Sequence, residues 1–190
     1  MEDPSHGRMN AIKYNVHTCF QDKSKEELKK ISSSLALPVH LMLFNLDGNM
    51  NIAMSIRTAA VLGCSDVWII GKRKYDARPE VGANHYLNVH KIDSITPSFF
   101  EENKLQPILV EQGGTALEEM NFKPHFTKTV CFIVGSESHG IPKEFLNEMK
   151  GTPIVSISQY GLIRSLNVSI AASIVLFEYL RQWRVATCVH

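Results

Sequence analysis

The chain has 190 residues, of which 44% are hydrophobic and 21% are charged, a composition typical of one globular domain rather than of a collagen-like, disordered or disulfide-framework protein. Twenty Lys and Arg residues face nineteen Asp and Glu residues, so the net charge is +1 and any site for a polyanion must be a local patch. Uninterrupted apolar runs stay below the roughly 18 residues that a membrane span needs, and the N-terminus lacks the apolar core of a secretory signal.

The spacing of apolar residues predicts an N-terminal extension followed by one domain. Residues 1–20 are aperiodic, and residues 22–35 predict a charged surface helix capped by Asp22 or Ser24. From Pro38 onward, strands are predicted over 39–46, 66–71, 87–92, 106–110, 130–135 and 153–158, and helices over 51–63, 97–103, 142–149 and 166–184. This alternation is typical of an α/β fold with a largely parallel sheet, so we expect an extension over 1–37 and a domain over 38–190.

The last predicted helix is apolar nearly all round. One stripe along it is formed by Leu166, Ile170, Ile174, Phe177 and Leu180. The residues between them are mostly Val, Ala, Leu and Tyr, which indicates burial on more than one side. This pattern fits either a helix in the centre of the core or a helix that also forms a subunit interface.

Neither the cysteines nor the eight histidines are spaced as metal ligands. The cysteines, which are Cys19, Cys64, Cys131 and Cys188, are far apart and form no C-x-x-C pair. We therefore expect no metal site, and reduced thiols in a cytoplasmic or nuclear protein.

Three loops follow apolar strands and lead into helices, where α/β sheets bind their ligands. They are Asp47 to Asn51, the GSESHG segment at 135–140, and the SQYGLIRSLN segment at 158–167. None of them contains the dinucleotide-binding G-x-G-x-x-G, the P-loop G-K-[ST] ending or the G-x-S-x-G elbow of hydrolases. A different kind of nucleotide-binding α/β enzyme is therefore an unfavoured alternative.

Several polar residues in or near these loops have both a structural and a functional interpretation. Arg57 lies in an otherwise apolar helix, either on its solvent side or aimed at a substrate phosphate or a carboxylate. Glu137 is either a solvated or capping carboxylate, or a group that fixes Arg57 or binds a ligand. Asn51, Ser165 and Asn167 stand at helix starts, where capping is the commoner role.

Two basic segments are candidates for contact with phosphate groups. The segment KRKYDAR at 72–78 carries four positive charges and one tyrosine, and includes Lys72, Arg73 and Lys74. It is either a solvated face or a local phosphate-binding patch. Arg164, in the third loop, is either a solvent-facing side chain or another such contact.

The three loops carry motifs that match one known family in order and spacing. These motifs are NIAMSIRTA, FIVGSESHGIP and SLNVSIAASIVLFEY, with family positions at Asn51, Arg57, Gly135, Glu137, Gly140, Ser165, Leu166 and Asn167. Over residues 40–184 the chain resembles the SpoU (TrmH-type) branch of the SPOUT RNA methyltransferases. One motif would be weak, but three in register are specific. The chain departs from the family at Ser158, where many members have proline, and it shows no accessory RNA-binding domain before residue 38.

The resemblance implies a fold, a cofactor and an assembly. The fold is a SPOUT-type parallel α/β sheet flanked by helices, with a deep C-terminal trefoil knot, an exception to the general rule against knots. The cofactor is S-adenosylmethionine, held by Gly135, Gly140, Ile157, Leu166 and Asn167. The assembly is a homodimer built partly on the last helix, and substrate capture is expected to need a larger parent chain.

The resemblance also implies methylation of a ribose 2′-oxygen in RNA, with tRNA guanosine 18 in the D-loop as the favoured target. The family assigns proton removal to Arg57, but a guanidinium stays protonated in proteins. We therefore expect Arg57 to clamp a phosphate and stabilise the developing alkoxide, oriented by Asn51 and Glu137. Ser165 and Asn167 are expected to shape the loop and contact ribose or phosphate, and Arg57, Lys72, Arg73, Lys74 and Arg164 to bind RNA. The alternative is a catalytically silent module that binds RNA or dimerises.

Overall fold

The computed structural model describes residues 15–45, 47, 50–163 and 165–187. The helices in these ranges are α1 (Lys25–Leu35), α2 (Asn51–Val61), α3 (Ser98–Glu102), α4 (Lys143–Glu148) and α5 (Val168–Thr187). The strands are β1 (Leu37–Phe44), β2 (Cys64–Ile70), β3 (Asn88–Ile92), β4 (Leu105–Ala116), β5 (Thr129–Val134) and β6 (Ile154–Ser156). Each predicted helix and strand is present, with ends shifted by a few residues except in β4.

The six strands form one sheet in the order β3-β2-β1-β5-β4-β6, and every neighbouring pair is parallel. The central strand β1 pairs with β2 and β5, so that Leu41 lies between Val67 and Phe132. Both neighbours are fully buried, as continuous apolar strands covered on two faces should be. The predicted parallel α/β class is thereby confirmed, while the trefoil knot is a matter of chain threading and stays a prediction.

Side-chain alternation along the strands divides the interior into two apolar clusters. Leu41 and Leu43 of β1 point into the larger cluster, which is closed by α2 and α5. Met42 and Phe44 point to the opposite face, which α3 and α4 cover through Phe100, Phe145 and Met149. The sheet is therefore sandwiched between helices, and its carboxyl-terminal edge is left free for loops.

Strand β4 runs six residues past Val110, the last residue that pairs with β5. After Val110 it shifts register and continues along β6 as far as Ala116. Gly114 permits this approach, because a Cβ at that position would lie 2.3 Å from the Ile154 carbonyl oxygen. The segment EQGGTA is polar and glycine-rich, so its strand character comes from pairing with β6 rather than from its composition.

The first and last helices, α1 and α5, have the cap and the buried face that their sequences predict. Helix α1 begins at a capping box in which the Ser24 hydroxyl accepts from the Glu27 N–H and the Glu27 carboxylate accepts from the Ser24 N–H. Helix α5 buries one face, including Val175, Leu176 and Tyr179, in the larger cluster. Its second apolar face, with Ile174 and Phe177, is exposed in the single chain.

The cysteines in the described residues are unpaired. Cys64 and Cys131 are buried, and Cys19 is exposed. Burial raises the pKa of the Cys64 thiol to about 12, so that thiol stays protonated in the folded protein. Cys188 lies outside the described residues, and the reduced state of the four thiols stays a prediction.

Candidate active site

The three predicted loops meet at the carboxyl-terminal edge of the sheet. The loop with Asp47 and Asn51 follows β1, the 135–140 loop follows β5, and the 157–167 loop follows β6. Because β1 and β5 are neighbours in the sheet, their loops lie side by side. The third loop returns to them, since it leads into α5, which packs against α2.

A hydrogen-bond network joins one side chain from each loop. The Asn51 side-chain amide donates from Nδ2 to Glu137 Oε2. Asn167 donates from Nδ2 to Asn51 Oδ1 at 3.0 Å and to Glu137 Oε1 at 3.4 Å. Asn51 is buried, with 5% of its surface exposed, so these bonds replace the water that its amide would otherwise bind. The network fixes the relative positions of the three loops.

The helix-capping interpretation is wrong for Asn51 and correct for Asn167. Helix α2 begins at Asn51 itself, and its N-cap Met50 has no capping side chain. The Asn51 amide is instead committed to the other two loops. Asn167 caps α5, because its Oδ1 accepts from the Ser169 N–H at 3.0 Å and from the Ser169 hydroxyl at 2.6 Å. Asn167 therefore both starts a helix and belongs to the site.

The second loop is a tight turn that requires glycine at both ends. Ser136 and Gly140 exchange two backbone hydrogen bonds of 3.0 and 2.9 Å across it. A Cβ at Gly135 would lie 2.1 Å from the Gly140 carbonyl carbon, and Gly140 itself has a φ of +66°. The G-x-E-x-x-G spacing of the motif is thus set by the close return of the chain beneath Glu137.

Two further polar residues that the sequence analysis did not assign to the site, Asp47 and Glu111, support this loop. Asp47 Oδ2 accepts from the Ser138 N–H at 3.2 Å, and its Oδ1 lies 3.4 Å from Nδ1 of His139. Glu111, directly after the apolar part of β4, accepts from the Ile141 N–H at 3.3 Å and from the Gln112 N–H at 2.9 Å. The position of Glu111 just past a predicted strand was the signal that would have found it.

The electrostatics of Asp47 keep it ionised. Partial burial acts to raise the pKa of its carboxyl group. Hydrogen bonds from the Ser138 N–H and from the Ser136 hydroxyl, together with the positive charge of a protonated His139, outweigh that effect and lower the pKa below its ordinary value. Asp47 therefore presents a negative charge to the second loop at neutral pH.

A cleft of about 350 Å³ opens between the second and third loops. It is lined by four of the five residues predicted to bind the cofactor, Gly135, Gly140, Ile157 and Leu166, and also by Glu111, Glu137, His139 and Ser165. Its volume lies in the range of about 300–1,000 Å³ typical of small-ligand sites. Apolar walls suit an aromatic base, and the carboxylates of Glu111 and Glu137 suit a positively charged ligand, so the cleft fits S-adenosylmethionine.

Arg57 lies apart from this network. It is exposed and lines a neighbouring apolar cavity with Val61, Ser158, Ile174 and Phe177. Within the described part of the chain it forms no hydrogen bond or ion pair, so the expectation that Asn51 and Glu137 orient it is wrong for the single chain. The reason is helical geometry, since six residues at about 100° each turn its side chain to another face of α2.

Three of the predicted RNA-binding residues lie together in one loop. Lys72, Arg73 and Lys74 are exposed in the loop after β2, at the same edge of the sheet as the site. Lys72 is 3.3 Å from Asp93, and the Arg73 carbonyl accepts from the Asn45 side chain at 2.6 Å. Arg164 lies outside the described residues.

The described residues contain neither a cluster of metal ligands nor a membrane-spanning helix. No group of three or more His, Cys, Asp and Glu side chains in residues 15–45, 47, 50–163 and 165–187 is placed to hold a metal ion. No helix in those same ranges combines the length and apolarity that crossing a bilayer requires.

The cleft lies at the carboxyl edge of a parallel α/β sheet, where enzymes of this architecture bind small cofactors. Comparison with known families identifies the class of enzyme as an RNA methylase. Residues 38–177 match the model of the SpoU rRNA Methylase family. The chain belongs to this family. The match confirms the family predicted from the three motifs.

Similar proteins are named as RNA 2′-O-methyltransferases. A tRNA (guanosine(18)-2′-O)-methyltransferase of Borreliella burgdorferi is 24% identical over 174 residues, covering 86% of this chain and 75% of that protein. The tRNA (guanosine(18)-2′-O)-methyltransferase TARBP1 of Mus musculus is 24% identical over 177 residues, covering 91% of this chain and 11% of that protein.

Solved structures confirm the fold class. The A. aeolicus TrmH/SpoU tRNA modifying enzyme superposes with a TM-score of 0.69 at 21% identity, covering 85% of this chain and 83% of that one. The SpoU methyltransferase AviRb of Streptomyces viridochromogenes, in complex with the cofactor AdoMet, gives a TM-score of 0.64 at 21% identity, covering 76% and 57%. At these identities the likeness shows the fold.

Proposed function

We propose that the chain is an S-adenosylmethionine-dependent RNA 2′-O-ribose methyltransferase that acts on guanosine 18 in the D-loop of tRNA. The observation that carries the proposal is the network of Asn51, Glu137 and Asn167 beside the cleft, in a member of the SpoU family. The names of its relatives in Borreliella burgdorferi and Mus musculus support the choice of tRNA guanosine 18.

The methyl donor is S-adenosylmethionine, which supplies an electrophilic methyl group on a sulfonium and needs no metal. AviRb is a relative in fold that holds this cofactor. In this chain Gly135, Gly140, Ile157 and Leu166 would hold it through the walls of the cleft, with Asn167 at the neighbouring network. Glu137 would face the positive end of the donor while its carboxylate keeps the three loops in place.

The substrate would approach along the same edge of the sheet. Ser165 lines the cleft and can donate to a ribose or phosphate oxygen, and Asn167, two residues further along the chain, bonds to Glu137 of the cleft wall. The exposed loop with Lys72, Arg73 and Lys74 offers the local positive charge that a net charge of +1 does not provide. Arg57 and Arg164 complete the predicted phosphate contacts, with Arg57 as a clamp.

The assembly would be a homodimer through α5. The exposed apolar face of α5 includes Ile170, Ile174 and Phe177, and the last two line a cavity of about 880 Å³ together with Val61 of α2. Isolated monomers seldom expose so continuous an apolar surface. A second copy on this face would place Arg57 at the interface between the two copies, which would bring it a role that the single chain lacks.

The outer boundary of the domain and its location in the cell belong to the same proposal. The family match begins at residue 38, which supports an extension over residues 1–37 and a methyltransferase domain over 38–190. Action on tRNA, with the buried free thiols of Cys64 and Cys131, supports the cytoplasm or the nucleus.

Calorimetric titration with S-adenosylmethionine is the first test. Wild-type protein should bind the cofactor, and Leu166→Arg should abolish binding because it places a long charged side chain in the cleft. Leu162→Arg is the matched control, since Leu162 is fully exposed in the same loop and does not line the cleft. Absence of binding by folded wild-type protein, with or without tRNA, would indicate a silent module that only binds RNA or dimerises.

Transfer of a labelled methyl group to tRNA transcripts tests the target. Transcripts with guanosine at position 18 should accept one methyl group, and transcripts with 2′-deoxyguanosine there should accept none. Equal labelling of both transcripts would overturn the assignment of guanosine 18.

Light scattering tests the homodimer. Phe177→Asp should yield a monomer, while Val185→Asp, also on the surface of α5, should leave the dimer intact.

A further inference from the structure

A polar pocket of about 350 Å³ lies along the outer edge of the sheet, apart from the cleft. Strand β3 ends the sheet on one side, so it pairs with β2 along one edge and leaves the other edge unpaired. Consecutive residues of β3 point to opposite faces, and both kinds line the pocket, which places the pocket at this unpaired edge. Its polar lining consists of Lys29, Tyr75, Asn84, Asn88, His90 and Lys91.

The lining of this pocket is positive. It contains two ammonium groups and two side-chain amides, and none of the described residues that line it is acidic. Within the described part of the chain, neither Lys29 nor Lys91 is paired with a carboxylate. The Asp66 carboxylate contacts His90 at 2.7 Å, so it does not neutralise the lysines. The pocket therefore offers charged and neutral donors to an anion.

Tyr75 and His90 hold the walls of the pocket in place. The Tyr75 hydroxyl donates to Glu80 at 2.7 Å, and Glu80 is buried. The Lys91 ammonium lies 4.9 Å from the centre of the Tyr75 ring, a cation–π contact that restrains the charge without neutralising it. The His90 ring stacks on Trp68 with 4.0 Å between the ring centres. Part of the site is thus formed before any ligand arrives.

The basic segment at 72–78 connects this pocket to the candidate active site. It contributes Tyr75 to the pocket, and its Arg73 carbonyl accepts from the Asn45 side chain at 2.6 Å. Asn45 directly follows β1 and precedes the loop that carries Asn51. Three steps of about 4.8 Å separate β3 from β5, so the two strands lie about 14 Å apart across the sheet. The basic loop therefore lies between the pocket and the cleft.

We propose that this pocket is a second anion site, which holds a backbone phosphate of the RNA substrate away from the nucleotide in the cleft. The inference rests on the proposed function, because it takes the anion to be part of the RNA that is methylated. Lys29 and Lys91 extend the positive charge of Lys72, Arg73 and Lys74, and such a continuous strip suits a long polyanion. Contacts to phosphate position a nucleic acid without reading its sequence, so this site would anchor the substrate rather than select guanosine 18.

The salt dependence of tRNA binding tests the second anion site. The double variant Lys29→Gln/Lys91→Gln should bind a tRNA transcript about tenfold more weakly than wild type at about 0.1 M salt. The slope of log Kd against log salt should become shallower by about 1.4–1.8, because each lost phosphate contact removes about 0.7–0.9. Lys30→Gln/Lys150→Gln is the matched control, since it removes the same charge at exposed lysines outside the pocket.

Single-turnover methyl transfer separates anchoring from chemistry. Lys29→Gln/Lys91→Gln should need about tenfold more tRNA for half of the maximal rate, because the substrate is held less tightly. The rate at saturating tRNA and the affinity for S-adenosylmethionine should stay within about threefold of wild type, because the pocket shares no residue with the cleft.

Each proposal can fail separately. Equal tRNA affinities and salt slopes for the pocket variant and its control would overturn the second anion site and leave the proposed function intact. A tenfold fall in the saturating rate would also overturn it, since the lysines would then act on the chemistry. Wild-type protein that shows the predicted loss of tRNA affinity on substitution of the pocket lysines but transfers no methyl group would overturn the proposed function and leave the anion site.

Discussion

Asn51 and Glu137 are 86 residues apart in the chain, and a hydrogen bond joins the Asn51 amide to the Glu137 carboxylate at the centre of the site. The same amide accepts from Asn167 through its oxygen, so Asn51 uses its donor for one loop and its acceptor for another. An amide is suited to this place because it carries both functions on one rigid group. A carboxylate at this position could accept from Asn167 but would repel the Glu137 carboxylate, and a lysine could donate to Glu137 but could not accept from Asn167.

Glu137→Gln should lower methyl transfer by one to two orders of magnitude without unfolding the protein. The substituted amide can accept from Asn51 through its oxygen, but its NH₂ group then meets the NH₂ group of Asn167, so one bond is replaced by a repulsion. Transfer rates and thermal melting of wild type and variant measure the two effects. Glu119→Gln, at an exposed glutamate away from the cleft, should change neither.

Gly135→Ala should weaken S-adenosylmethionine binding at least tenfold and lower the free energy of unfolding by about 1–3 kcal/mol. The added methyl group would lie 2.1 Å from the Gly140 carbonyl carbon, so the turn that carries Glu137 must move. Calorimetry and urea unfolding provide the measurements. Gly161→Ala is the control, because a Cβ there meets no atom within 4 Å. Equal affinities for the two variants would contradict the role given to the close return of the loop.

Tyr179→Phe should raise the melting temperature by about 2–4 °C. The Tyr179 hydroxyl is buried among Phe122, Phe126 and Phe132, and it has no hydrogen-bond partner among the described residues. Burial raises the pKa of this phenol to about 12, and an unpaired buried hydroxyl costs on the order of 1 kcal/mol. Tyr160→Phe, on the surface, should change the melting temperature little. A lower melting temperature for Tyr179→Phe would show that the hydroxyl is paired after all.

The free energy of unfolding should fall as the pH drops below about 6.5, in part through His40. Burial lowers the pKa of His40 beneath the ordinary 6.5, the charge on Asp66 opposes this shift, and His90 adds to it. The unfolded chain therefore takes up a proton at a higher pH than the folded chain, so the contribution is complete above 6.5 and is lost on acidification toward the folded pKa. The neutral ring accepts from Trp68 Nε1 at 3.1 Å.

Urea unfolding at pH 7.5, 6.5 and 5.5 measures this effect. His40→Gln should show a shallower loss between pH 6.5 and 5.5 than wild type, because its side chain does not titrate. His17→Gln, at an exposed histidine, should follow the wild-type curve. Identical pH dependences for wild type and His40→Gln would assign the acid sensitivity to other groups.

The architecture was predictable because its signals are local. The strand around Leu41 and the strand around Phe132 are continuous apolar runs, which only a sheet covered on both faces can bury. The extension of β4 through Gly114 was not predictable, since its residues are polar and become a strand only by pairing with β6. Local composition therefore predicts the buried strands and leaves out those formed by pairing.

The residues of the site were predictable from the sequence, but the contacts between them were not. The motif spacing identified Asn51, Glu137 and Asn167, which the structure joins by hydrogen bonds. The roles within the set depend on which side chains meet in space. The sequence predicts that Asn51 and Glu137 orient Arg57, whereas in the structure they bond to each other and to Asn167. Sequence spacing along α2 gives the direction of each side chain, but the partner that it meets belongs to another part of the chain.

The network that joins Asn51, Glu137 and Asn167 also sets the order in which the molecule becomes competent during synthesis. Asn51 and Glu137 leave the ribosome well before Asn167, which is contributed by the start of α5. The nascent chain can pair β1 with β2 as soon as both have emerged, yet the site is completed only when the last helix docks. A protein stalled or truncated before residue 167 would hold most of its sheet and no finished active site, so incomplete chains carry no premature activity toward RNA.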